Sequence, residues 1–167
     1  APAIFGNLCA SCLVDDEAIT VQYDVDDRFN FMALIPNFET KTADARKALP
    51  KELSLKDAIF SLSRLGIVLR AFENYDIDTL KKVLADKIHE PYRKKLIYEY
   101  DEVRNICESI ESYGFFISGS GSTLINILKD ENNVELIKEK LKNLKYDWKV
   151  LFVKADKEGT TYEERNV

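Results

Sequence analysis

Five short stretches of this sequence hold side chains whose types could do chemistry. Ser118-Gly119-Ser120-Gly121-Ser122-Thr123 alternates glycine with hydroxyls. Two glycines let backbone N–H groups approach an anion closely and the hydroxyls can assist, although a hairpin turn draws on the same residues. In Thr40-Lys41-Thr42-Ala43-Asp44-Ala45-Arg46 the Thr42 hydroxyl and the Arg46 guanidinium stand one helical turn apart, hence on one face. An N-cap threonine followed by a solvated arginine has the same spelling. His89-Glu90-Pro91-Tyr92-Arg93 sets the only histidine near another guanidinium, and a lone histidine before proline fits a structural role as well as a catalytic one. Cys9-x-x-Cys12 raises zinc or thiol redox chemistry. If residues 7–14 form a strand, however, the two sulfurs point to opposite faces and cannot share an ion, so no metal site is expected. Ala1-Pro2-Ala3-Ile4-Phe5-Gly6 is apolar enough for core or interface.

The elements that must position these groups are legible from periodicity. Ile19, Val21, Tyr23 and Val25 alternate with polar residues, Asp26-Asp27-Arg28 offers a turn, and Phe29, Phe31, Ala33 and Ile35 repeat the pattern, which predicts a hairpin. Ser54 with Asp57 opens a helix whose Leu55, Ala58, Ile59, Leu62, Leu65, Leu69 and Phe72 recur at three and four, predicting a core stripe. A second helix is expected over 76–88 and a third through Val103, Ile106, Cys107 and Ile110, all three on one side of a sheet. Two short strands should meet at the 118–122 turn, Asn132 and Glu135 should cap a helix through Leu144, and 148–153 should be a last strand, with 155–167 a fraying tail. Counted from Phe29, the order is strand, helices, strand, strand, helix, strand. That order is the split β-α-β pattern of a ferredoxin-like α+β fold, an antiparallel sheet with helices on one face, an extra N-terminal hairpin and inserted helices.

Composition narrows the function classes. At 167 residues, 46% hydrophobic and 32% charged, the chain can bury one substantial core and is neither disordered nor low-complexity. A net charge of -5 builds in no general attraction to nucleic acid or an anionic membrane, and no apolar run approaches a bilayer span. Three cysteines are an odd number, which suits a reducing compartment, so a cytoplasmic location is expected. The absence of an initiator Met suggests a piece of a longer chain.

Taken in order, Ala1-Pro2-Ala3-Ile4-Phe5-Gly6, Leu34-Ile35-Pro36-Asn37-Phe38-Glu39, Thr42-Ala43-Asp44-Ala45-Arg46, Leu49-Pro50, His89-Glu90-Pro91-Tyr92-Arg93 and Phe116-Ile117-Ser118-Gly119-Ser120-Gly121 resemble the C-terminal half of the homoserine kinases, a branch of the GHMP small-molecule kinases. The resemblance implies a C-terminal domain over 1–167, with 1–14 the junction to an upstream domain. It implies transfer of the γ-phosphoryl group of Mg-ATP to homoserine in threonine biosynthesis. ATP and Mg would be bound mainly by that upstream domain, on a glycine- and serine-rich loop this chain lacks, so no cofactor is expected here and these residues alone should be inactive. By the same resemblance Arg46 and Arg93 hold the homoserine carboxylate, His89 orients its neighbourhood, Thr42 lies near the transferred phosphate, and Gly119, Ser120 and Gly121 shape the nucleotide loop. Ser122 stands where the family commonly has proline and Lys41 where it commonly has serine. Homoserine and the upstream domain are the implied partners, with no nucleic acid and no membrane, and a homodimer is allowed. Two rivals remain at this point: a free-standing ferredoxin-like binding or regulatory module, and a sister kinase with another substrate.

Overall fold

A computed structural model of the chain describes residues 2–162. After a single turn of helix, α1 (Pro2–Phe5), strands β1 (Leu8–Val14) and β2 (Glu17–Tyr23) pair antiparallel from Leu8↔Tyr23 to Val14↔Glu17. Asp15 and Asp16 make the connection at φ 48° and 65°, the left-handed pair that a two-residue hairpin turn demands and aspartate tolerates. The expected hairpin around 26–28 is therefore a correction: both strands exist, but they belong to different sheets. Asp26 instead accepts the backbone N–H of Arg28 at 2.9 Å and its guanidinium at 2.8 and 2.7 Å, shaping a link rather than a hairpin turn.

Beyond that link, β3 (Asn30–Pro36) is a central strand of a four-stranded sheet ordered β4-β5-β3-β6, with β4 (Gly114–Ile117), β5 (Leu124–Leu128) and β6 (Trp148–Val153). Every pairing is antiparallel, with Leu34 opposite Leu124 on one side and Val150 on the other. Helices separate β3 from β4, and one helix separates β5 from β6, giving the expected ferredoxin-like order.

The period of two sends Met32, Leu34, Phe115, Leu124 and Leu128 to one face, where α6 (Tyr100–Ile110) and α7 (Val134–Leu141) cover them with Val103, Cys107, Ile137 and Leu141. Phe31, Phe116 and Ile127 turn the other way and meet Ala71 and Phe72 of α3 (Leu55–Asn74) and Leu80 of α4 (Ile77–Val83). The inserted helices thus do not share one side with α6, because alternate residues of the buried strands are apolar on both faces. Ser54 caps α3 as expected, accepting from the Asp57 N–H at 3.1 Å, and α4 stops at Val83, short of Ile88. At α7 the N-cap is Asn133, without a side-chain cap bond, and Glu135 pairs with Lys138.

Two expectations fail at the surface. Leu55, Ile59, Leu62 and Leu65 of the supposed core stripe are 76, 56, 65 and 54% exposed, and only Ala71 and Phe72 of α3 are buried. The tail from 155 does not fray as far as Thr160. Asn7 N–H donates to Asp156 O at 2.6 Å, Thr160 N–H donates to Ile4 O at 3.0 Å, and Lys157 pairs with Asp24 and Asp27. Ala1 and the last part of the expected tail, 163–167, lie outside the described residues. Among the described residues no helix is long and apolar enough to cross a membrane.

Candidate active site

The β4–β5 connection is built by its own sequence. Gly121 N–H donates to Ser118 O at 3.0 Å and Ser118 N–H to Thr123 O at 2.9 Å, closing a tight turn. Gly119 and Gly121 sit at φ +57° and +93°, where other residues are strained, and a Cβ on Gly121 would come within 3.0 Å of Ile97 Cδ1. Ser122 is buried and donates to Phe38 O at 2.8 Å, so the residue standing in place of proline ties the loop to the chain that leads into α2 (Thr42–Lys47).

That tie sets the start of α2 beside the loop. Thr42, first residue of α2, places its hydroxyl 3.3 Å from Ser120 Oγ. From the other side Arg93, last residue of α5 (Glu90–Arg93), donates from Nη1 to Gly119 O at 2.8 Å, and its buried Nε has no partner among the described residues. His89 precedes α5 and is exposed, with Nδ1 3.9 Å from Asp86 Oδ2. Asp86, His89, Glu90, Arg93, Phe116, Ile117 and Gly119 line a cleft of about 220 Å³. Arg46 follows Thr42 by one turn of α2, exposed to solvent, but does not line that cleft.

Two residues that the sequence reading passed over hold this region. Asp86 accepts the backbone N–H groups of Ile88, His89 and Glu90 at 2.9, 2.5 and 2.8 Å. Partial burial opposes ionisation of Asp86, yet the N–H groups of Glu90, Ile88 and His89 together outweigh it and hold the carboxyl below the ordinary carboxylate range. Glu90 Oε1 accepts from Tyr100 Oη and from Arg104 Nη1, each at 2.9 Å, fastening α5 to α6. Burial first, and the Glu90 charge second, push the Tyr100 phenol far above its usual value. No capping signal in the sequence marks Asp86, because it stands three residues ahead of His89, which occupies the N-cap position of α5.

Elsewhere, Cys9 and Cys12 take opposite faces of β1, with Cys9 Sγ 3.2 Å from Gly6 O. Burial pushes the Cys107 thiol up to about 12. Among the described residues no group of three or more His, Cys, Asp or Glu is placed to hold a metal ion. A larger cavity of about 600 Å³, lined by Val25, Phe31, Phe72, Phe116 and Val153 among others, lies against the second face of the sheet and is mostly apolar.

The architecture is thus a split β-α-β sheet with a glycine loop joining β4 to β5. Residues 68–147 match the family described as GHMP kinases C terminal. The chain belongs to that family, as its C-terminal domain. Its curated relatives include homoserine kinases: that of Clostridium botulinum (strain Kyoto / Type A2) is 38% identical over 99% of this chain, and that of Clostridium acetobutylicum is 37% identical over 95%. The chain spans 57% and 54% of those proteins' lengths. The fold is that of the homoserine kinase from Cytophaga hutchinsonii, with a TM-score of 0.86 at 22% identity over 95% of this chain and 51% of that one. The mevalonate kinase of L. major, solved with R-mevalonate, is more distant at a TM-score of 0.65 and 10% identity, over 95% of this chain and 51% of that one.

Proposed function

We propose that this chain serves as the C-terminal half of a homoserine kinase, which transfers the γ-phosphoryl group of Mg-ATP to the side-chain hydroxyl of L-homoserine, in the cytoplasm and for threonine synthesis. The observation that carries this reading is the 118–122 loop, which holds Thr42 through Ser120 and Arg93 through Gly119. A hydroxyl and a guanidinium are thereby fixed on one scaffold, as a phosphate and a carboxylate on one substrate require. Arg93 offers the carboxylate a planar guanidinium whose Nε has no partner among the described residues, and Arg46, exposed on α2 outside that cleft, is on this reading the second carboxylate ligand. Thr42 lies toward the transferred phosphate, Gly119, Ser120 and Gly121 shape the nucleotide side, and His89 orients the carboxylate end.

These residues do not by themselves fit Mg-ATP. The glycine loop runs into strand β5, not into a helix whose N-terminal N–H groups could gather phosphates, and no carboxylate cluster awaits a metal among the described residues. Nucleotide and Mg belong, on this reading, to the part of the relatives that this chain does not match. That part docks on the exposed stripe of α3 and on Leu13, Val14, Ile19 and Val21 of the β1–β2 hairpin, which leave an apolar surface otherwise open to water.

Two measurements test the reading. The 167 residues alone should give no homoserine-dependent ADP release, and clear turnover by the pure chain would defeat it. In the full-length kinase, Arg46→Ala and Arg93→Ala should each raise the KM for homoserine on the order of a hundredfold while the KM for ATP moves much less. Arg→Lys should rescue in part, because an ammonium lacks the fork. Lys47→Ala and Lys94→Ala, which alter surface pairs with Asp44 and Asp101, serve as controls. Mevalonate or a sugar preferred over homoserine would assign a different member of the family.

A further inference from the structure

We propose that Asp86 is a positioning residue for the substrate carboxylate: it holds the turn that presents His89 and Arg93 and touches no substrate itself. The proposal rests on the reading of Arg93 as a carboxylate ligand. A carboxylate offers about four acceptor positions, and Asp86 has four donors. Oδ1 takes the N–H of Ile88 at 2.9 Å and the hydroxyl of Ser61 at 3.2 Å; Oδ2 takes the N–H of His89 at 2.5 Å and of Glu90 at 2.8 Å. No acceptor position is left for a substrate ammonium, although Asp86 lines the cleft.

The turn depends on this carboxylate for a simple reason. α5 is four residues long, too short to be held by its own hydrogen bonds, and the N–H groups of His89 and Glu90 would otherwise be orphans at its start. Ser61 of α3 also accepts the N–H of Lys87 at 2.9 Å, so one hydroxyl and one carboxylate staple the turn to the long helix. Glu90 secures the same turn to α6 through Tyr100 and Arg104. Arg93 then reaches Gly119 O from a base fixed on two helices. Without Asp86 the guanidinium keeps its charge and loses its direction.

The test compares Asp86→Asn, Ser61→Ala and Arg93→Ala in the full-length kinase. Asparagine keeps one oxygen and turns an NH2 toward two of the four donors, so Asp86→Asn should raise the homoserine KM by roughly ten- to a hundredfold, the scale of a misplaced binding group. The kcat and the KM for ATP should stay nearly as in the wild type. Ser61→Ala, which leaves the carboxylate intact, should raise the homoserine KM a few-fold and decides the matter if Asp86→Asn does not fold. In the 167-residue chain, amide exchange at Ile88, His89 and Glu90 should quicken in Asp86→Asn while Phe116 and Ile125 in the sheet keep their protection. An unchanged homoserine KM in Asp86→Asn beside a raised one in Arg93→Ala overturns the role of Asp86 and leaves Arg93 standing. Equal losses in kcat and both KM values would mark a general structural role and overturn it too. If Arg93→Ala has no effect on homoserine, the underlying reading falls with it.

Discussion

Arg93 spends one nitrogen on the Gly119 carbonyl and keeps another buried and unmatched, while Asp86 a few residues earlier has every acceptor position filled. The pair therefore divides the work of binding and holding. The carboxyl of Asp86 is depressed by its N–H donors, so its stabilisation of the turn is fully present above the unfolded value of about 3.9 and is lost as pH falls through the lower, folded value. On acidification of the 167-residue chain, the amide resonances of Ile88, His89 and Glu90 should hold through the ordinary carboxylate range and shift together only below it; movement centred within that range would contradict the hydrogen-bond geometry. The His89 imidazole, with Nδ1 3.9 Å from Asp86 Oδ2, adds to the lowering. Thr42, Arg46, Arg93 and the glycines could be picked from the sequence because their types announce anion chemistry. Asp86 and Glu90 could not, since what makes them matter is Ser61, 25 residues away, and Arg104, 14 residues away, and such partners become neighbours only once the chain has folded.

Among the elements, spacing revealed which face of each is apolar and was silent on what covers it. The alternation in β2 and in β3 is real, but a period of two does not name the partner strand; the left-handed pair Asp15-Asp16 gave β2 to β1. The same limit explains α3. Its Leu55, Ile59, Leu62 and Leu65 recur as in a core helix, yet they face water, and only the last turns reach the sheet through Ala71 and Phe72. Phe72→Ala should cost the isolated chain about 3 to 5 kcal/mol, read as a lowered urea midpoint at unchanged slope. Leu62→Ser with Leu65→Ser should cost it no more than roughly 0.5 kcal/mol each, as for exposed sites, and yet weaken the full-length kinase if that stripe is a docking face. A large loss of stability in the isolated chain from the serine pair would mean that the stripe is internal after all.

At the scale of the whole molecule, the described residues form two sheets and seven α-helices, and two segments far apart in sequence close on each other. Segment 4–7 lies against 156–160 with Gly6 and Gly159 back to back: a Cβ on Gly6 would come within 2.7 Å of Lys157 C, and one on Gly159 would strike Ile4 O. Among the described residues these hydrogen bonds have the greatest separation along the chain, so closing them has the largest loop entropy to overcome and they should form after the sheet is in place. Gly159 at φ +76° adopts a conformation strained for alanine, and Gly159→Ala should destabilise the isolated chain by more than about 1 kcal/mol. In stopped-flow measurements that loss should appear almost entirely as faster unfolding, with the refolding arm of the chevron unmoved. A refolding rate slowed by the full amount would instead make the closure of 4–7 on 156–160 part of the folding nucleus. Where these two segments close last they also open first, so the clasp of paired glycines sets how long the native chain survives rather than how quickly it is reached.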